Sequence, residues 1–110
     1  MAAKRFPMKL NLKNGQVEMV HGSGGRAMAQ LIEEIFVKHF SNDLLNQGND
    51  QALFHVDAGR MVMSCDGHVI SPLFFPGGDI GSLSVHGTVN DVAMSGAKAL
   101  YLSASFIIEE

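Results

Sequence analysis

Three acidic side chains and one amide stand where they could do chemistry in this 110-residue chain. Asp66 directly follows the strand-like run 60–65, in Ser64-Cys65-Asp66-Gly67-His68, where rigid backbone meets an open loop. Asn90 and Asp91 lie side by side near the end of a helical stretch that begins after Asp79. In that stretch Ile80, Leu83, Val85, Val89, Val92, Ala93 and Met94 cover nearly the whole circumference. A helix that is apolar all round reads as buried. An ionised aspartate there is costly unless a cation or hydrogen-bond donors meet it, and its place near the negative end of the helix dipole adds to the cost. A bound cation would remove the conflict. The plainer reading is that Asn90 and Asp91 cap a neighbouring turn or face solvent.

Asp79 stands at the start of that helix as an N-cap and Gly96 closes it. Asp79 and Asp91 are twelve residues apart, about 18 Å along a straight helix, so one small ion does not bridge them. Asp66 is the better partner for Asp91, across a sheet–helix contact. Asp79 then lies at the phosphate end of a ligand or acts as a cap alone. Hard oxygen ligands with no Cys or His cluster suit Mg²⁺, which takes a few carboxylates and completes its shell with substrate phosphates. Each residue has a plainer reading too. Asp66 with Gly67 makes an Asx turn, and a single histidine on an apolar strand, His68, is more often a hydrogen-bonded structural residue than a ligand or base.

Two further stretches would shape a ligand. His21-Gly22-Ser23-Gly24-Gly25 feeds a helix N-terminus and so offers bare backbone N–H groups to an anion. It has neither the Lys-Ser/Thr of a P-loop nor the spacing of a dinucleotide fingerprint, and a simple strand-to-helix turn explains it as well. Ser71-Pro72-Leu73-Phe74-Phe75-Pro76-Gly77-Gly78 sets two aromatics between prolines, where a helix is excluded. Such a loop gives an apolar wall for a flat ring or a patch to bury against a partner subunit.

These residues need elements to hold them. Residues 1–20 read as a loose tail followed by a hairpin about Asn14-Gly15, a dipeptide that accepts positive φ at both positions. Residues 21–110 read as one domain with a single core. Met28, Leu31, Ile32, Ile35, Phe36 and His39 recur at three and four residues and predict a helix with one buried face. Arg26, Gln30, Glu33, Glu34 and Lys38 take its wet side. Residues 41–51 predict an exposed loop. Residues 52–56 and 60–65 predict strands, with Met61, Met63 and Cys65 on one packed face. Residues 99–108 alternate cleanly as a long, half-buried strand whose Tyr101, Ser103, Ser105 and Ile107 face suits self-association. The expected fold is α/β (α+β): a mixed or antiparallel sheet packed with two main helices.

Composition excludes several classes. Hydrophobic residues make up 46% and charged ones 17%, a globular balance. A net charge of -3 without a basic patch argues against nucleic acid as a partner. No apolar run reaches membrane-span length, and the start lacks a secretory signal. The single cysteine, Cys65, forms no internal disulfide and makes a reducing cytoplasm the default location.

Taken together, His21-Gly22-Ser23-Gly24-Gly25-Arg26-Ala27-Met28, the stretch from Ser71 to Gly81, and Gly87-Thr88-Val89-Asn90-Asp91-Val92-Ala93-Met94-Ser95-Gly96-Ala97 resemble the N-terminal part of the HypE family of hydrogenase maturation factors. The likeness runs from about Met19 to the last residue. The wider superfamily includes proteins similar to aminoimidazole ribonucleotide synthetase (PurM) and selenophosphate synthetase. The resemblance implies an ATP-dependent carbamoyl dehydratase. In it, a terminal cysteine carbamoylated by a HypF-like transferase is dehydrated to a thiocyanate, the source of cyanide ligands for nickel-iron hydrogenase. HypC- and HypD-like scaffold proteins are the further partners implied. It also implies a homodimer in which two PurM-like N-terminal domains build a β-barrel across the interface, with ATP bound nearby. On the same likeness Asp66 and Asp91 hold Mg²⁺, with Asn90 and Asp91 catalytic. Gly24, Gly25, Asp66, Phe74, Phe75, Gly78, Asp79, Asn90 and Asp91 line the nucleotide. The chain lacks the family's second domain and terminal cysteine, and Cys65 cannot stand in for it. It is therefore expected to be a domain of a longer enzyme, inactive alone. The alternatives are the same domain of a selenophosphate or aminoimidazole ribonucleotide synthetase, and a pure dimerisation module.

Overall fold

The computed structural model of this chain describes residues 6–110. They form two compact units: residues up to Val56 together with Phe106–Glu110, and Asp57–Ser105.

The first unit is built on a helix. α1 (Arg26–Leu31) passes without a break through a π-helical stretch (Ile32–Val37) into α2 (Lys38–Phe40). Met28, Leu31, Ile35 and Phe36 are half-buried, as the spacing predicts, while Ile32 and His39 are exposed. Gln30 and Glu34, expected on the wet side, are half-buried for a reason periodicity does not see. They satisfy the backbone of an incoming segment. Gln30 Nε2 donates to the Met8 carbonyl at 2.5 Å and to Glu34 Oε1 at 2.9 Å, and the Leu10 N–H donates to Glu34 Oε2 at 2.8 Å. Phe106 packs its ring on Phe36 (centroids 4.9 Å apart) and on Phe40 (6.2 Å).

The hairpin expected about Asn14-Gly15 does not form. Asn11 captures the turn instead: its side-chain oxygen accepts from the N–H groups of Lys13 (3.2 Å) and Asn14 (3.1 Å), and its carbonyl accepts from Gly15 N–H at 2.7 Å. An asparagine that bonds the backbone two and three residues on competes directly with a strand ladder. A 3₁₀ turn, Met19–Gly22, follows. The polar loop is largely as expected. One 3₁₀ turn, Leu45–Gln47, interrupts it, and the Gln47 side chain pairs with both the N–H (2.8 Å) and the carbonyl (2.7 Å) of Leu53.

The second unit carries β1 (Phe74–Phe75), β2 (Gly78–Asp79) and α3 (Ile80–Met94). β1 and β2 pair antiparallel, Phe74 opposite Asp79 and Phe75 opposite Gly78. Pro76 and Gly77 make the tight turn between them, and Gly77 takes a φ of 91°, which a side chain would resist. α3 starts where Asp79 predicts. Asp79 Oδ1 accepts from Ser82 N–H at 2.7 Å, and Ser82 Oγ accepts from Asp79 N–H at 3.0 Å, a reciprocal capping box. It stops where Gly96 predicts: Gly96 has a φ of 74° and donates its N–H to the Ala93 carbonyl at 2.9 Å.

The larger sheet is not there. Among the described residues the two-residue strands β1 and β2 are the whole sheet, and the runs 52–56, 60–65 and 99–108 carry no ladder. A strand exists through the hydrogen bonds of its neighbour, and these runs find none among the described residues. The last run is also divided, since Phe106–Glu110 belong to the first unit. Nor is there a buried core among the described residues. Met63 is 92% exposed, Val69 and Ile107 essentially fully so, and α3 is not enclosed, with Leu83, Val85 and Met94 exposed. Met61 and Met63 are therefore not core residues in this fold. No helix of the described residues is long and apolar enough to cross a membrane.

Candidate functional site

The site centres on α3 and the segment that precedes the aromatic hairpin. No turn or bend interrupts residues 60–70. Two contacts tie this segment to the helix. Ser64 Oγ donates to Asp91 Oδ2 at 3.2 Å. Further along, the His68 ring stands against Gly87 so closely that a Cβ built there would lie 2.8 Å from His68 Nε2. Gly87 and Asp91 are four residues apart and so share one stripe of α3. The segment thus runs antiparallel along one turn of the helix. Asp66 lies in the chain midway between the two contact residues, and it is exposed where Ser64 and His68 are half-buried.

Of the expected site residues, the structure brings the Asp66 segment alongside the helix that carries Asn90 and Asp91. Asn90 and Asp91 are exposed, contrary to the buried position their helix suggested. Burial is then not what calls for a cation at Asp91. What remains is a carboxylate with one oxygen bonded to a hydroxyl and the other, Oδ1, accepting no hydrogen bond from the described residues. Asp79 sits at the opposite end of α3, with Oδ1 committed to the Ser82 N–H. Phe74 is 78% exposed, a ring free to face a ligand or another surface, whereas Phe75 is half-buried. Gly78 is closely packed: a Cβ there would lie 3.0 Å from both Phe75 Cε2 and Ser82 Oγ, so one of those side chains would have to give way.

Gly24 and Gly25 belong to the first unit. Gly24 has a φ of 75°. Gly25 is the N-cap of α1 and no side chain caps that helix. Open N–H groups at a helix start are what an anion would use.

No cluster of three or more His, Cys, Asp and Glu side chains exists among the described residues. That excludes a closed protein cage. It leaves the donor set suited to Mg²⁺, one or two carboxylates completed by phosphate oxygens and water, and Asp91 with its open Oδ1 fits that role. Sequence reasoning missed Ser64 and Gly87. The alternation of Ser64, Asp66 and His68 was a usable signal for the first; a glycine in an apolar helix was a weaker one for the second.

The described residues thus form a small α/β arrangement in which a capped helix follows a Pro-Gly hairpin. The chain belongs to the AIR synthase related family: residues 48–110, more than half of its length, match the AIR synthase related protein, N-terminal domain. Among curated proteins it is 71% identical over 106 residues to the carbamoyl dehydratase HypE of Cupriavidus necator, covering 96% of this chain and 30% of that one. It is 67% identical over 107 residues to the carbamoyl dehydratase HypE of Bradyrhizobium diazoefficiens, covering 97% and 31%. The chain thus spans about a third of the length of these relatives. Among solved structures it is similar to the hydrogenase maturation protein HypE in complex with ATP, with a TM-score of 0.64 and 52% identity, over 68% of this chain and 22% of that one. The likeness to HypE seen in the motifs is therefore borne out along nearly the whole chain.

Proposed function

We propose that this chain is the ATP-binding and dimerising N-terminal domain of a HypE-type carbamoyl dehydratase. The observation that carries the reading is its 52% identity to a HypE that was solved in complex with ATP. In the proposed reaction a carbamoylated cysteine, outside this chain, presents its carboxamide oxygen to the γ-phosphate of ATP. The oxygen takes the phosphoryl group, ADP leaves, and the amide nitrogen loses a proton. Expulsion of inorganic phosphate with the second N–H proton then leaves a C≡N triple bond on sulfur, a thiocyanate. Mg²⁺ would neutralise the charge on the phosphates.

The residues of this chain take the supporting roles. Asp91, with Asp66, would hold the metal; Asn90 and Asp79 would steady metal or phosphate; the Gly24–Gly25 turn would approach phosphates; Phe74, Phe75 and Gly78 would shape the nucleotide pocket. The many exposed apolar side chains among the described residues, with no buried core beneath them, support a second copy as the partner. A HypF-like transferase and HypC- and HypD-like scaffolds are the proposed partners of the whole protein.

Calorimetric titration of Mg-ATP into the chain, and into Asp91→Asn, tests the reading. The isolated chain is expected to bind weakly or not at all. In a full-length protein carrying this chain as its N-terminal domain, Asp91→Asn is expected to lower ATP turnover by more than about 100-fold, beyond the loss typical of an outer-shell partner. Retained turnover would remove Asp91 from the metal site.

A further inference from the structure

Two contacts on α3 have no part in the expected site, yet both bear on it. Ser64 Oγ donates to Asp91 Oδ2 at 3.2 Å, and His68 Nε2 would lie 2.8 Å from a Cβ at Gly87. Each touches a residue of the same helical stripe. Asp66 is two residues from Ser64 and two from His68, so its Cα is within about 7 Å of each along the chain. A shift of this segment along α3 would carry Asp66 with it, because Asp66 lies in the chain between the two contacts.

We infer that Ser64 and Gly87 are positioning residues that set the register of the Asp66 segment on α3: Ser64 orients the Asp91 carboxylate, and Gly87 leaves the room in which His68 closes onto the helix. The inference rests on the reading of Asp66 and Asp91 as metal ligands. Ser64 occupies Asp91 Oδ2 and leaves Oδ1 for the ion, as an outer-shell hydroxyl does for a ligating carboxylate. Gly87 acts by absence: a Cβ there would press on the far end of the His68 ring, which must swing away from the helix, and the contact on that side of Asp66 is lost.

The test uses Mn²⁺, a paramagnetic stand-in for Mg²⁺, bound with ATP to the full-length protein that carries this chain and followed by electron paramagnetic resonance. Ser64→Ala is expected to weaken Mn²⁺ binding about 10-fold, and Ser64→Thr, which keeps the hydroxyl, to restore it. Gly87→Ala is expected to weaken it as much or more. Adding His68→Ala to Gly87→Ala is expected to recover most of the loss, because the clash is removed from the other side. That recovery separates register from misfolding, since truncating His68 does not repair a fold that the added methyl has disrupted elsewhere. Equal Mn²⁺ affinity in wild type, Ser64→Ala and Gly87→Ala overturns the inference and leaves the metal reading standing. So does a Gly87→Ala loss that His68→Ala fails to relieve. Absence of Mn²⁺ binding to the unaltered protein overturns the metal reading and the inference with it.

Discussion

Asp91 illustrates how a single carboxylate acquires a role. One oxygen is engaged by the Ser64 hydroxyl, and the other accepts nothing from the described residues. Glu34 shows the complementary case, a carboxylate used for structure. The Leu10 backbone N–H, and secondarily the Gln30 side chain, hold its carboxyl below the ordinary glutamate range by bonding the charged form. A lowered folded-state value means that the link is complete above the ordinary range and is lost as pH falls through the lowered value. The Leu10 amide is therefore expected to exchange slowly near neutrality and to lose protection on acidification; Glu34→Gln should remove the pH dependence. Amide exchange followed by NMR between neutral pH and the acid range checks this. Asp79 acts at the residue scale too. Asp79→Ala removes the Ser82 N–H acceptor and is expected to cost about 1 kcal/mol, read from urea unfolding followed by helical circular dichroism. An unchanged midpoint would deny the cap its energetic role.

At the scale of elements, the aromatic hairpin and α3 behave as one piece. Ile80 N–H donates to the Leu73 carbonyl at 2.9 Å, which closes β1 and β2 onto the helix start. Gly78 is the joint, packed against Phe75 and Ser82. Gly78→Ala forces the Phe75 ring or the capping serine to move and is expected to destabilise by about 1–3 kcal/mol, the range for an extra methyl in a full site. The same unfolding measurement should show its effect overlapping with that of Asp79→Ala, because both disturb Ser82. Strict additivity of the two would mean that hairpin and cap are independent. The first helix differs in kind. Its middle, Ile32–Val37, is π-helical, and its two polar residues Gln30 and Glu34 serve the segment at Met8–Leu10.

At the scale of the molecule, the leading feature is apolar surface that stays exposed among the described residues. Leu100 and Leu102 are each more than half exposed, and the described residues hold no buried core. A chain of this size with its apolar residues uncovered is short of the burial that stabilises a domain. Light scattering is expected to give the mass of a dimer. Leu102→Asp, which puts a charge on that run, is expected to shift the mass toward the monomer. A clean monomer of the unaltered chain at high concentration would contradict the dimer.

What the amino-acid order determined by itself was local. Asp79 and Gly96 bound α3 because a cap and a left-handed glycine act within a turn of the helix they end. The proline-glycine pair bends the aromatic loop for the same local reason, and the motifs placed the chain in its family because residue identity survives where contacts are not visible. Only the tertiary structure decided which runs pair, what is covered and which side chains meet. Strand-like alternation at 60–65 and 99–108 yields no sheet, because a ladder needs a neighbour and the described residues supply none. Asn11 diverts the Asn14-Gly15 hairpin by a side-chain bond that no periodicity records. Ser64 reaches Asp91 across 27 residues, a contact set by how a segment lies on a helix, and distance along the chain carries no information about that.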